Sequence, residues 1–154
     1  MEVYLVRHGE AKLEHEDPEK SLSDNGRSDI SIIADYVSTL GLRISKIYHS
    51  EKLRAKQTAE ILYQKLKPKN GVECVLGLAP SDDIKTALKI IEDAKEPIMI
   101  VSHLPYLDRL LPMLVTGNQN YKLVKFGEGS IVCIEEEDDH WLIRWSLRRD
   151  LIRS

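Results

Sequence analysis

The chain has 154 residues, of which 42% are hydrophobic and 31% charged, and a formal net charge of −3. That is enough chain for one domain with a full core, too short for two, and too apolar for a disordered segment. The mild acidity argues against a general nucleic-acid-binding role, no apolar run reaches membrane length, and the charged start is not a signal peptide, so neither nucleic acid nor membrane is expected as a partner. Cys74 and Cys133 sit in apolar, strand-like runs and read as buried thiols of a reducing compartment, which points to the cytoplasm.

Val3, Leu5 and Val6 form an apolar run without a polar face, the pattern of a buried strand, and it stops at Arg7-His8-Gly9. Glu10 to Lys20 is polar, holds Asp17-Pro18 and reads as a loop. Ser23 or Asp24 can cap the next helix, whose apolar face is Ile30, Ile33, Ala34, Val37 and Leu40 and which ends at Gly41. Ile44 to Tyr48 is a second strand. A helix comes after the His49-Ser50 segment and runs to about Leu66, Pro68 to Gly71 is a turn, and Val72 to Leu78 is a third strand. Ser81 or Asp82 can cap a helix with Ile84, Leu88 and Ile91 on one face. Pro97 to Val101 is the most apolar strand and the expected centre of a sheet. A helix from Tyr106 to Val115 contains Pro112, which should bend or shorten it. Ser130 to Glu135 and Trp141 to Leu147 read as an antiparallel hairpin around the acidic turn 136–139, and Arg148 to Ser154 as a basic surface end. Strand and helix alternate without a linker or a repeat. The expected fold is α/β over residues 1–154 as a single domain: three layers, with a mostly parallel central sheet, helices on both faces and a C-terminal antiparallel hairpin.

The unusual polar residues lie where strands end. Arg7 and His8 come after the first strand, Ser50 and Arg54 after the second, Asp82 and Asp83 after the third, and His103 after the fourth. Parallel strands would deliver all of them to one sheet edge, where open α/β sheets bind ligands. Arginine offers a planar fork that pairs with phosphate oxygens, glycine lets backbone approach a ligand closely, and helix N-termini near Arg54 and after His103 can point N–H groups at an anion. Such a set suits a phosphoryl group, with His8 as nucleophile.

Arg7-His8-Gly9, Arg54 within Ser50-x-x-x-Arg54-Ala55-x-Gln57-Thr58, and Ser102-His103-Leu104-Pro105, in this order and each after an expected strand, resemble the histidine phosphatase superfamily, whose fold is that of the phosphoglycerate mutases. The short chain and the segments Leu22-Ser23-x-x-Gly26 and Pro80-x-Asp82 look most like its SixA-type phosphohistidine phosphatases. The resemblance runs to about Tyr106. It implies that His8 attacks phosphorus and carries the phosphoryl group, which water then removes, while Arg7, Arg54 and His103 hold the phosphoryl oxygens. Gly9, Ser23, Asp82 and Leu104 fall in the blocks that would line the substrate, though Ser23 reads first as the cap of its helix. No metal or other cofactor is implied. The arginines favour a neutral His8, as a nucleophile must be.

Three departures from the family pattern matter. Glu51 stands where the family often has proline, which shapes a turn and takes no part in chemistry. The block Pro80-Ser81-Asp82-Asp83 lacks an expected glycine, which leaves open which aspartate faces the site. Between Thr58 and Pro80 there is room only for a helix, a turn and a strand, without the insertion that carries a proton-donating acid in larger members. The expected pocket is therefore shallow and open, suited to phosphohistidine on a protein, whose phosphoramidate leaves more easily than an alkoxide. The expected partner is a phosphoprotein or, in the alternative, a small phosphorylated molecule. A phosphate ester as substrate and a non-catalytic phosphate-binding module remain the other readings. His8, His103 and Asp82 could bind zinc by residue type, but the flanking arginines oppose a cation. Ser50 and Gln57 read as structural, His49 as packing beside the site, and His15 and His140 as surface.

Overall fold

The computed structural model describes residues 1–153, so Ser154, the last residue of the expected basic end, lies outside the described residues. The elements are β1 (Glu2–Arg7), α1 (Asp24–Ser38), β2 (Lys46–His49), α2 (Leu53–Leu66), β3 (Val72–Cys74), α3 (Lys85–Asp93), β4 (Ile98–Ser102), α4 (Tyr106–Thr116), β5 (Ile131–Glu137), β6 (His140–Leu147) and a 3-10 turn at Arg149–Leu151. One six-stranded sheet runs in the order β3-β2-β4-β1-β5-β6. The first four of these are mutually parallel, and β5 and β6 are antiparallel additions. This is the expected three-layer α/β fold.

The sheet is the core because its central strands are apolar on both faces. Val3 and Leu5 of β1 join Ile98 and Ile100 of β4 under α3 and α4. Tyr4 and Val6 join Met99 and Val101 on the other side, under α1 and α2. All five residues of β4 are buried. Successive side chains point to opposite faces, so two buried faces require an unbroken apolar run.

The edges differ from the sequence expectation. β3 ends at Cys74 rather than Leu78, and all three of its residues are exposed. Gly77, at φ +99, lies in the turn beyond the strand, and Leu78 reaches the core from a loop. Cys74 is consequently exposed, not buried, while Cys133 is buried as expected. At the other edge Asp138 and Asp139 both take positive φ and close the hairpin in two residues, the backbone twist that favours such tight turns. Cys133 pairs with Trp145 and Ile134 with Ile143, so Arg144 is an extra residue. This bulge lets Trp141 and Trp145 pack on opposite faces of the sheet. Pro112 does not shorten α4, which continues to Thr116.

The loop after β1 is tied to α1. Ser23 caps α1 by accepting the Gly26 N–H at 2.9 Å, and its own N–H donates to the Glu10 carbonyl at 3.0 Å. Gly26 lies against that same carbonyl, where a Cβ would collide with the oxygen. Gly26→Ala should therefore cost about 1–3 kcal/mol of unfolding free energy through overpacking. Urea denaturation measures it, and an unchanged midpoint would show that the contact relaxes freely.

Candidate functional site

Three adjacent strands build the site. In the parallel pair β1–β4, Arg7 lies opposite Ser102, which sets His8 beside His103. His8 N–H donates to the Ser102 carbonyl at 3.0 Å, and Ser50 N–H donates to the Val101 carbonyl at 3.1 Å, so the ladders continue just past the strand ends. The two imidazole ring centres are 4.9 Å apart and tilted by 58°. His8 is 8% exposed and His103 is 1% exposed.

Each histidine is held through one ring nitrogen. His8 Nδ1 lies 2.7 Å from the Gly9 carbonyl oxygen. A carbonyl can only accept, so Nδ1 carries the proton and the lone pair of the neutral ring sits on Nε2. His103 Nε2 lies 2.7 Å from Ser50 Oγ, and that oxygen also accepts the Lys52 N–H at 3.1 Å. His103 Nδ1 and Arg7 Nε are buried without a hydrogen-bond partner among the described residues, which is costly unless a ligand uses them. Arg7 is anchored by donation from Nη1 to the Phe126 carbonyl at 3.0 Å.

Burial shifts both imidazoles strongly toward the neutral form. It lowers His8 to about 4; the Gly9 hydrogen bond opposes the shift and the Arg54 and Arg7 charges add to it. Burial likewise lowers His103 to about 3, reinforced by His8, Arg54, Lys52 and Lys20. The arginines expected to keep His8 neutral do contribute, but desolvation leads.

Arg54 stands in the first turn of α2, partly buried, in an open cleft of about 900 Å³ that also holds Lys20, Lys52, Ala79 and Asp82. The N-terminus of α2 has no side-chain cap, which leaves its N–H groups and dipole available to an anion. The two aspartates separate here. Asp82 faces the cleft, its Oδ2 accepting the Ala79 N–H at 2.9 Å. Asp83 Oδ1 accepts the Lys85 N–H at 2.8 Å at the start of α3. The expected cap at Ser81 or Asp82 is thus replaced, because α3 begins later, at Lys85. Arg109 of α4 pins the loop through the Asp82 and Pro80 carbonyls, both at 3.0 Å.

The structure gives Gly9 a different role from the one expected, and Ser23, Gln57 and His49 the supporting roles expected of them. Gly9 does not offer its N–H to a ligand; it donates to Thr58 Oγ1 at 3.0 Å, and a Cβ on Gly9 would come within 2.7 Å of Ile30. Ser23 is a helix cap, its hydroxyl engaged with Gly26. Leu104 is half-buried and borders a second groove on the far side of Arg7. Gln57 is structural, its Oε1 accepting the Leu22 N–H at 2.7 Å, and His49 is buried with Nδ1 at 2.8 Å from the Ser50 carbonyl. Two contributions escape sequence reasoning, the tie of Ser50 to His103 and the entry of Lys20 into the cleft. Ser50 has the sequence setting of a turn residue, yet it holds His103 across 53 positions of chain. Lys20, at φ +52, joins the cleft from the loop after β1. That loop, rather than the segment between Thr58 and Pro80, supplies the cleft's outer wall.

Residues 3–76 match the model of the histidine phosphatase superfamily, branch 1. The chain is 26% identical to the phosphohistidine phosphatase SixA of Escherichia coli over 122 residues, 76% of each chain. It is 33% identical to an uncharacterised protein of Picosynechococcus sp. over 133 residues, covering 80% of this chain and 78% of that one. A structure of the protein histidine phosphatase SixA with tungstate superposes at a TM-score of 0.83 over 99% of this chain and 100% of that one, at 23% identity. The fold is also shared with a phosphoserine phosphatase of Entamoeba histolytica, at a TM-score of 0.71 and 15% identity over 94% of this chain and 95% of that one.

The depressed imidazole of His8 ties the site to folding. Between about pH 4 and 6.5 the unfolded chain binds a proton at His8 that the folded chain refuses, so stability should fall as pH drops through that window. His8→Gln should make the fall shallower in denaturation series across those pH values. Imidazole NMR should find the His8 midpoint near 4, and a midpoint at 6.5 would contradict the burial argument.

Proposed function

The chain belongs to the histidine phosphatase superfamily, of the SixA type, and from that premise we propose a metal-independent phosphatase that removes the phosphoryl group from phosphohistidine on a protein through a covalent intermediate on His8. One observation carries the reading. The Gly9 carbonyl holds the Nδ1 proton of a neutral His8, which leaves the Nε2 lone pair free to attack.

In the first step His8 Nε2 bonds to phosphorus as the bond from phosphorus to the substrate's imidazole nitrogen breaks. The leaving nitrogen takes a proton from water in the open cleft. In the second step water attacks phosphorus, the bond to His8 breaks, inorganic phosphate departs and the Nε2 lone pair returns. Arg7 and Arg54 neutralise the phosphoryl oxygens throughout. A charge pair about 4 Å apart, at an effective dielectric near 20, is worth about 4 kcal/mol before desolvation. His103 serves as a donor. In this reading the Ser50 hydroxyl, which accepts the Lys52 N–H, donates a hydrogen bond to His103 Nε2, and the imidazole proton sits on the unpartnered Nδ1, ready for a phosphoryl oxygen. In this assignment Arg7, His8, Arg54 and His103 are catalytic, and Asp82 lines the substrate's approach.

Phosphohistidine is favoured over phosphate esters by the open cleft and by chemistry. An imidazole leaves without a strong acid to protonate it, and the Asp82 carboxylate is engaged with a backbone N–H. The name of the Escherichia coli relative supports the same substrate.

A phosphate-release panel of phosphohistidine peptide, phosphoserine and sugar phosphates tests this. The peptide should be the best substrate, and His8→Ala should lose on the order of a thousandfold or more in turnover. Preference for a small ester would replace the substrate assignment, and undiminished turnover in His8→Ala would remove the nucleophile. In the same assay Ser50→Ala should lower kcat by roughly tenfold or more with little change in KM, since a misplaced His103 proton weakens the transition state more than binding.

A further inference from the structure

The mouth of the site is electrostatically lopsided. On the Arg54 side the cleft is balanced, because Lys20, Lys52, Arg54 and Lys56 share its lining with Glu14, Glu19, Glu51 and Asp82. On the other side of Arg7 lies a separate groove of about 510 Å³, bordered by Arg7, Leu104, Asp108, Lys122, Leu123 and Lys125. Three cations there meet one carboxylate, in a chain whose net charge is −3.

The wall of this groove is the segment joining α4 to β5. Its residues 120–126 belong to no helix or strand. Tyr121 is 56% exposed, Leu123 is 39% exposed, and Lys122 and Lys125 are exposed between and beyond them. Exposed apolar side chains alternating with lysines are poorly suited to water alone and well suited to a polypeptide with both apolar and acidic residues. The segment is also joined to the chemistry, because the Phe126 carbonyl at its end anchors the guanidinium of Arg7.

We infer that the groove between α4 and the 120–126 segment docks an acidic stretch of the substrate polypeptide next to its phosphohistidine, with Lys122 and Lys125 reading the acidic side chains and Leu123 supplying apolar contact. This rests on the phosphohistidine reading above and adds to it a preference for sequence context. Positive charge at the rim steers an anionic partner and discriminates among partners without touching the reacting phosphorus.

The test uses two synthetic phosphohistidine peptides, one flanked by Glu and Asp and the other by Gln and Asn, together with free phosphohistidine. Wild-type kcat/KM should favour the acidic peptide by on the order of tenfold at low salt, and the preference should shrink as salt is raised. The double variant Lys122→Glu, Lys125→Glu changes only exposed side chains. It should abolish or reverse the preference through KM and leave free phosphohistidine turnover unchanged. Equal turnover of both peptides by wild type, or a preference that survives in the double variant, would overturn the docking groove while the phosphohistidine activity stands. No turnover of either peptide or of free phosphohistidine would remove the phosphohistidine reading, and the docking inference with it.

Discussion

The parallel pairing of β1 with β4, Arg7 opposite Ser102, is the constraint on which the site depends. Parallel strands end on the same side of a sheet, so the residues just beyond their C-terminal ends gather at one edge. Because the register places the last residues of β1 and β4 level, His8 and His103 come side by side, 4.9 Å between ring centres, from positions 95 residues apart in the chain. The same edge receives Ser50 from β2, and through it the start of α2 and Arg54. A slip of one residue in either strand would exchange its two apolar faces and move His8 out of level with His103. The strand pairing that builds the core thus also sets the geometry of the site.

Burial is the second constraint, and it is what gives the histidines their character. An exposed pair of imidazoles would titrate near neutrality. Under the sheet edge, with guanidiniums close by, both are driven to the neutral form. The Gly9 carbonyl fixes the proton of His8 on Nδ1, and the Ser50 hydroxyl holds the Nε2 side of His103. Two guanidiniums beside two neutral imidazoles suit the phosphoryl dianion of the proposed reaction. Arg7 connects this site to the groove outside it, because its anchor is the Phe126 carbonyl at the end of the lysine-bearing segment.

Much of this is legible in the chain. Buried parallel strands are continuous apolar runs, so β1 and β4 announce themselves, and Arg7, His8 and His103 stand out as polar residues at their ends. The hidden part depends on contacts between distant segments. The edge strand β3 looks longer in sequence than it is because Val75, Leu76 and Leu78 extend its apolar pattern, although the pairing stops at Cys74 and Gly77 turns at positive φ beyond it. The close approaches at Gly9 and Gly26 involve Ile30 and the Glu10 carbonyl, which no local pattern shows. Ser50 looks like a turn residue because its partner lies 53 positions away. Asp82 and Asp83 separate because one accepts the Ala79 N–H and the other the Lys85 N–H, in a loop that Arg109 pins from α4.

The central claim is that His8 forms the bond to phosphorus, and rapid trapping tests it most directly. The protein is mixed with a labelled phosphoramidate donor, quenched in alkali within a turnover and digested for mass spectrometry. The account predicts an acid-labile label on His8, attached at Nε2, that disappears at the rate of phosphate release. A label on His103 or any other residue, or phosphate release at full rate with His8 never labelled, would contradict it.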